Sequence, residues 1–120
     1  MAIGAGVADR RTPTVAIAGD GGCLFTISEL ATAADRGRQL SLVIWDNRGY
    51  GEIRDSFLQE GIPPVGVDTS AHNLEAIAAG IGFACATVTE PDQLANNLQT
   101  SLRADRPNVI VIRADHEQIH

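Results

Sequence analysis

Two short runs hold the residues best suited to chemistry. Gly19-Asp20-Gly21-Gly22 follows the apolar run Thr14-Val15-Ala16-Ile17-Ala18, and Asp46-Asn47-Arg48-Gly49-Tyr50-Gly51 follows Leu40-Ser41-Leu42-Val43-Ile44-Trp45. Each is a glycine-rich loop carrying an oxygen ligand at the end of an apolar strand. Carboxylate and amide oxygens suit a hard cation. Mg²⁺ takes six oxygens in an octahedron, usually one or two carboxylates plus phosphate oxygens. Asp20, Asn47 and one loop carbonyl make half of such a shell, which a diphosphate and a water complete. The glycines let backbone N–H groups come close to phosphate oxygens. The constellation reads as a metal–diphosphate clamp. The alternative is two ordinary turns, in which Gly supplies positive φ and Asp and Asn bond their own backbone.

Such a clamp needs elements that bring its halves together. In an open parallel sheet, loops after neighbouring strands lie side by side at the carboxyl edge, where ligands bind. The apolar runs predict buried strands over 14–18 and 40–45. Residues 26–36 between them show helical spacing, with Ile27, Leu30, Ala31 and Ala34 on one face. Thr26 and Glu29 fit a capping box opening that helix, whose positive N-terminus faces the clamp, and Gly37 stops it. Residues 50–59 read as a helix and 61–68, rich in Pro and Gly, as an extended loop. Helices are expected over 70–81, with Leu74, Ile77, Ala78 and Ile81 inward, and from Pro91 to the Arg106-Pro107 break, with Leu94, Leu98 and Leu102 as its buried stripe. Strands are expected over 83–88 and 109–112. Residues 1–9 read as the end of a helix, and 115–120 as a polar tail. The strand–helix alternation implies right-handed crossovers and a parallel sheet covered on both faces, a three-layer α/β/α architecture.

Gly19-Asp20-Gly21, a helix-sized gap, and then Asp46-Asn47 resemble the thiamine diphosphate signature, Gly-Asp-Gly followed by Asn-Asn. Arg48-Gly49-Tyr50-Gly51-Glu52-Ile53 resembles its continuation. The resemblance implies that Asp20 and Asn47 give side-chain oxygens, and Gly49 its backbone carbonyl, to Mg²⁺. It places Gly19, Asp20, Gly21, Gly22, Asn47, Gly49, Tyr50 and Gly51 around the cofactor, with Gly21 and Gly22 against the diphosphate. Asp46 departs from the family, which usually has Asn there in support of the loop; a second carboxylate is tolerable only if it points away or finds a donor. Pyruvate decarboxylases carry a substrate-side Glu shortly after the motif glycine. Here Ile53 holds that place and Glu52 stands one position earlier, so no catalytic residue is assigned.

Composition narrows the field. The chain has 120 residues, 44% of them hydrophobic, and a formal net charge of −6. It contains no Lys, and its nine Arg are scattered, which argues against nucleic acid. No apolar run approaches the ~20 residues that cross a bilayer. Cys23 and Cys85 lack metal-ligand spacing and read as small core residues of a cytoplasmic protein. His72, His116 and His120 have no partner at metal or triad spacing and read as exposed. Ser28 has no nucleophile elbow, and Glu29 reads as a cap. Tyr50 and Glu52 are better candidates for chemistry because they follow the metal loop directly; the alternative is that Tyr50 packs and Glu52 caps its helix.

The resemblance covers nearly the whole chain. It implies the C-terminal, diphosphate-binding domain of an acetolactate synthase-like or 2-oxo acid decarboxylase enzyme, requiring thiamine diphosphate and Mg²⁺. Gly49–Ile53, with Ile62-Pro63 and Gly66-Val67-Asp68 downstream, further resembles decarboxylases of guanidino-type 2-oxo acids. Residues 1–120 are expected to form one domain, incomplete at its N-terminus and inactive alone. The expected partners are a pyrimidine-binding domain, in the same enzyme or a separate subunit, and further copies of the chain. If covering neighbours are missing, the strands of Ile17 and Val43 should be open. Two readings from other classes are a non-catalytic module that binds cofactor or a partner, and a flavodoxin-like regulatory domain. The latter needs a Lys that the chain does not have.

Overall fold

The computed structural model describes residues 1–37, 39–68, 70 and 72–113. The elements run α1 (Ala2–Ala8), β1 (Thr14–Gly19), α2 (Asp20–Phe25), α3 (Glu29–Arg36), β2 (Leu40–Asp46), α4 (Gly51–Gln59), α5 (Leu74–Ile81), β3 (Ala84–Val88), α6 (Pro91–Leu102) and β4 (Asn108–Arg113). The four strands form one parallel sheet in the order β1-β2-β4-β3. Ile17, Val43, Ile110 and Ala86 lie in one row across it. The α/β architecture and the parallel sheet are those expected. The expected tail lies outside the described residues.

β2 and β4 form the centre because both of their faces are apolar. Leu42, Ile44, Val109 and Val111 point into the main core with Leu30, Ala33, Leu74, Ala78 and Phe83. Val43 and Ile110 point the other way, towards the layer formed by α6, which packs on β2, β3 and β4. Ile44 and Ile110 are 1% and 0% exposed. Each such side chain contributes roughly 1.5–3 kcal/mol of burial free energy.

The helices stop and start where local chemistry directs. α3 ends at Gly37, left-handed with φ 58°, where a side chain would be strained. Asn73 caps α5, its side chain accepting from the Ala76 N–H at 2.8 Å. Glu90 and Gln93 form a capping box before α6, with Pro91 in the first turn.

Several expectations are corrected. The helix assigned to 26–36 is α3, which begins only at Glu29, and a separate short helix, α2, forms at Asp20–Phe25 in the stretch read as a Gly-rich loop, with Thr26 as its C-cap. The Thr26–Glu29 capping box does not form, because Thr26 Oγ1 turns back to the Cys23 carbonyl at 3.5 Å and α3 begins only at Glu29. α5 begins at Leu74 rather than 70, since its cap is Asn73. α6 ends at Leu102, ahead of the Arg106-Pro107 break, and Leu94, Leu98 and Leu102 are half-buried. Cys23 is buried, but Cys85, on the outer strand β3, is exposed. β1 is not buried on both sides: its residues alternate, and Ile17 is 80% exposed. The sheet is thus open on one face at β1, whereas Val43, one strand inward, is only 5% exposed.

Candidate functional site

β1 and β2 are hydrogen-bonded neighbours in register Gly19↔Trp45, so their following loops meet at one sheet edge. Asp20, the first residue of α2, is 5% exposed. Its Oδ2 accepts the Gly49 N–H at 2.9 Å. Its Oδ1 lies 3.1 Å from the side-chain oxygen of Asn47, which is itself 2.8 Å from the Gly49 carbonyl oxygen. Three acceptors therefore converge with no donor between them. Turning the Asn47 carboxamide over would make both contacts N–H···O hydrogen bonds.

The groups that meet here, a carboxylate, a carboxamide and a backbone carbonyl, carry hard oxygens of the kind Mg²⁺ takes. Among the described residues, no three His, Cys, Asp or Glu come together as a metal site. The donors here are one carboxylate, one amide and one carbonyl, a set that leaves half an octahedron for phosphate and water.

The loop is built to hold these oxygens. Asp46 is 8% exposed, and its Oδ1 accepts the Arg48 N–H at 3.1 Å, a turn that explains why a carboxylate is tolerated there. Arg48 is left-handed, with φ 60°. A second segment, 61–68, ties the loop down, although its Pro- and Gly-rich composition reads only as an extended loop. The Tyr50 N–H donates to the Val67 carbonyl at 2.9 Å, Gly49 bridges Asp68, and Arg54 pairs with Asp68 at 2.6 Å. The only local signal for this was an Arg and an Asp of opposite charge flanking the Pro-rich loop.

Two glycines make room for the site. A Cβ on Gly21 would stand 2.7 Å from Tyr50 Cε1, and one on Gly51 2.6 Å from Asn47 Nδ2. Gly22, by contrast, has open space beside it. Tyr50 packs against Gly21 and near Phe25, with ring centroids 6.4 Å apart. Glu52 lies in the first turn of α4, and no side-chain cap bond forms there. Beneath the loop is a cavity of about 10 Å³ lined by Asp20, Asp46, Arg48, Ser70 and the otherwise exposed His72. Burial pushes the Cys23 thiol up, and the Asp20 charge adds to this, so Cys23 is a protonated packing group rather than a nucleophile. His116 and His120 lie outside the described residues.

Residues 1–112 match the family profile described as "Thiamine pyrophosphate enzyme, C-terminal TPP binding domain". The chain is 38% identical over 103 residues to a probable 2-ketoarginine decarboxylase of Pseudomonas aeruginosa, covering 85% of this chain and 18% of the relative. It is 29% identical to an acetolactate synthase of Bacillus subtilis, covering 96% of this chain and 20% of the relative. The thiamine diphosphate-dependent 4-hydroxybenzoylformate decarboxylase of Rhodococcus jostii RHA1 superposes with a TM-score of 0.87 over 95% of this chain and 22% of its own, at 24% identity, a likeness of fold. The chain spans about a fifth of the length of these relatives.

Proposed function

Because the chain belongs to the thiamine pyrophosphate enzymes, as their C-terminal cofactor-binding domain, we propose that it anchors the diphosphate end of thiamine diphosphate through Mg²⁺. Asp20 Oδ1, the Asn47 amide oxygen and the Gly49 carbonyl hold the ion. The observation that supports this reading is the meeting of Asp20, Asn47 and Gly49 at one sheet edge, with the Asn47 carboxamide 3.1 Å from Asp20 Oδ1 and 2.8 Å from the Gly49 carbonyl oxygen. Asp20 also positions the loop. Its Oδ2 fixes Gly49 through the N–H bond at 2.9 Å, so one carboxylate both binds and orients. The N–H groups of Gly21 and Gly22, in the first turn of α2, have no partners within the helix and are directed to diphosphate oxygens. Gly19, Tyr50 and Gly51 shape the walls of this seat.

When bound, thiamine diphosphate would supply the covalent chemistry at the substrate's 2-oxo carbon. The chain's share is positioning, so that the reactive ring is held in place. The substrate class is a 2-oxo acid, and the resemblance to a probable 2-ketoarginine decarboxylase favours one with a long basic side chain. Residues 1–120 form one domain of a homo-oligomeric cytoplasmic enzyme. A pyrimidine-binding domain supplies the rest of the cofactor cradle. The chain alone is inert towards 2-oxo acids, because among the described residues no acid–base group is placed to assist proton loss from the cofactor, a help worth about 10²–10⁴ in rate.

Calorimetric titration with thiamine diphosphate, with and without Mg²⁺, tests the clamp. Binding should require Mg²⁺, vanish in Asp20→Ala and weaken strongly in Asn47→Ala. Unchanged affinity in both variants refutes the clamp. Sustained carbon dioxide release from a panel of 2-oxo acids by the purified chain, lost in Asp20→Ala, would refute its inactivity.

A further inference from the structure

The chain from Tyr50 to Asp68 leaves the body of the domain and returns to it. None of the described residues of α4 is buried, and Ile53, Leu58, Ile62 and Val65 are exposed. At its far end the excursion closes on itself, the Ile62 N–H donating to the Phe57 carbonyl at 2.8 Å. At its near end it closes on the loop that carries Asn47 and Gly49. Val67, 4% exposed, is the anchor there, and its carbonyl accepts the Tyr50 N–H at 2.9 Å. The next residue, Asp68, bridges Gly49 through its backbone. The Asp68 side chain accepts from Arg54 Nη1 at 2.6 Å. Arg54 lies one turn into α4, its own N–H on the Tyr50 carbonyl at 3.0 Å. Gly49 is thereby gripped from two sides, by Asp20 Oδ2 on its N–H and by Asp68 across the bridge.

We propose that the Arg54–Asp68 pair is a latch that positions the Gly49 carbonyl for the cation, an inference that rests on the Mg²⁺ clamp described above. Both residues act through Gly49 and supply no ligand of their own. The guanidinium stands close to the clamp: a Cβ built on Gly51 would lie 2.6 Å from Asn47 Nδ2 and 3.7 Å from Arg54 Nη2, so both groups border one small space. A positive side chain beside a cation site is unfavourable on charge alone. Asp68 neutralises it, and the same contact ties α4 to the segment that grips Gly49. The Arg54 side chain is 18% exposed and that of Asp68 70%. A pair this open adds little to global stability. Its effect is local, on the bridge to Gly49 and on the Tyr50–Val67 bond beside it. Removing a group that orients a metal-binding residue typically lowers metal affinity by about 10–100-fold, and an exposed latch belongs at the lower end of that range.

The sign of one substitution separates positioning from charge. Arg54→Met removes a positive charge beside the cation, so electrostatics alone would make Mg²⁺-dependent binding of thiamine diphosphate tighter. The latch makes it about tenfold weaker in calorimetric titration of the 120-residue chain. Asp68→Asn should weaken binding at least as much, since it also leaves the guanidinium unneutralised. The double variant should be no weaker than Asp68→Asn, because the two residues act as one unit. Arg54→Lys, which keeps the charge and a donor, should recover most of the affinity. In EDTA, hydrogen exchange of the Tyr50 amide should quicken several-fold in Arg54→Met, while the amides of Val43 and Ile110 keep the parent's rates. An Arg54→Met variant that binds as tightly as the parent, or more tightly, overturns the latch and leaves the clamp standing. So does a Tyr50 amide whose exchange is unchanged. A parent chain that takes up no thiamine diphosphate with Mg²⁺ overturns the clamp itself, and the role given to the latch with it.

Discussion

Replacing Asn47 by Asp tests the site by a change of sign. The two side chains have the same shape, so packing beside Gly51 is retained. Without metal, the parent can turn its carboxamide and donate to Asp20 Oδ1 at 3.1 Å and to the Gly49 carbonyl at 2.8 Å. An aspartate has no N–H to donate. It loses one bond to a carboxylate, worth about 1.5–3 kcal/mol, and one to a carbonyl, worth about 0.5–1.5 kcal/mol. Asn47→Asp should therefore destabilise the metal-free chain by roughly 2–4 kcal/mol. For a domain of this size that lowers Tm by about 8–16 °C. With Mg²⁺ the ranking should close or reverse, because a second carboxylate strengthens a cation site. Saturation at about a hundred times Kd returns about 2.7 kcal/mol. The assay is thermal unfolding of both proteins with EDTA and with a Mg²⁺ series. If Asn47→Asp is as stable as the parent in EDTA, or if Mg²⁺ raises the two Tm values equally, the convergence of oxygens is not what governs this loop.

Three further outcomes are expected. Gly21→Ala puts a Cβ 2.7 Å from the Tyr50 ring; it should cost about 1–3 kcal/mol in urea unfolding, and adding Tyr50→Ala should cancel most of that cost. Arg48→Gly relieves a left-handed residue at φ 60° and should stabilise the chain by up to about 1 kcal/mol in the same assay; a loss would show that the Arg48 side chain matters more than its backbone. Burial alone would raise the Glu75 pKa, but the Thr87 hydroxyl, a backbone N–H and Arg113 outweigh it and hold the group below the usual carboxylate range. Its contribution is thus present above the ordinary carboxylate pKa and lost as pH falls through the lowered one. Thr87→Val should accordingly be less stable than the parent at neutral pH, with the gap shrinking in acid; a gap independent of pH would assign Thr87 to packing alone.

The pairing of Asp20 with Asn47 was legible because it needs only two apolar runs that become adjacent parallel strands. The register Gly19↔Trp45 delivers the rest. The start of α2 was not legible. Gly21 and Gly22 each cost about 1 kcal/mol in a helix by propensity, which points to a loop through Gly22. The helix nevertheless forms at Asp20, where Gly21 gives the Tyr50 ring room that no larger residue leaves. That contact joins residues far apart in the chain, and no local window contains it. The exposure of β1 was hidden for a related reason. A continuous apolar run marks a strand that is covered on both faces somewhere, but it does not say which chain supplies the cover. The run 14–18 has the composition of β2 and β4, yet Ile17 is 80% exposed while Ile44 and Ile110 are not.

Asp46 shows how far a motif departure can be read once the geometry is known. Beside a diphosphate, a second carboxylate is unfavourable on charge alone. At this position, however, the side chain acts as an acceptor for the Arg48 N–H at 3.1 Å. An Asn oxygen and an Asp oxygen can both make that bond, and the charged one makes it more strongly. The turn it closes holds Arg48 in a left-handed conformation, which would otherwise cost about 1–2 kcal/mol. The same turn delivers Gly49, whose N–H meets Asp20 and whose carbonyl faces Asn47. The extra charge is thus directed into the loop backbone, at 8% exposure, with Arg48 lining the same small cavity. The departure from Asn therefore falls on the residue that shapes the loop, and not on Asp20, Asn47 or Gly49.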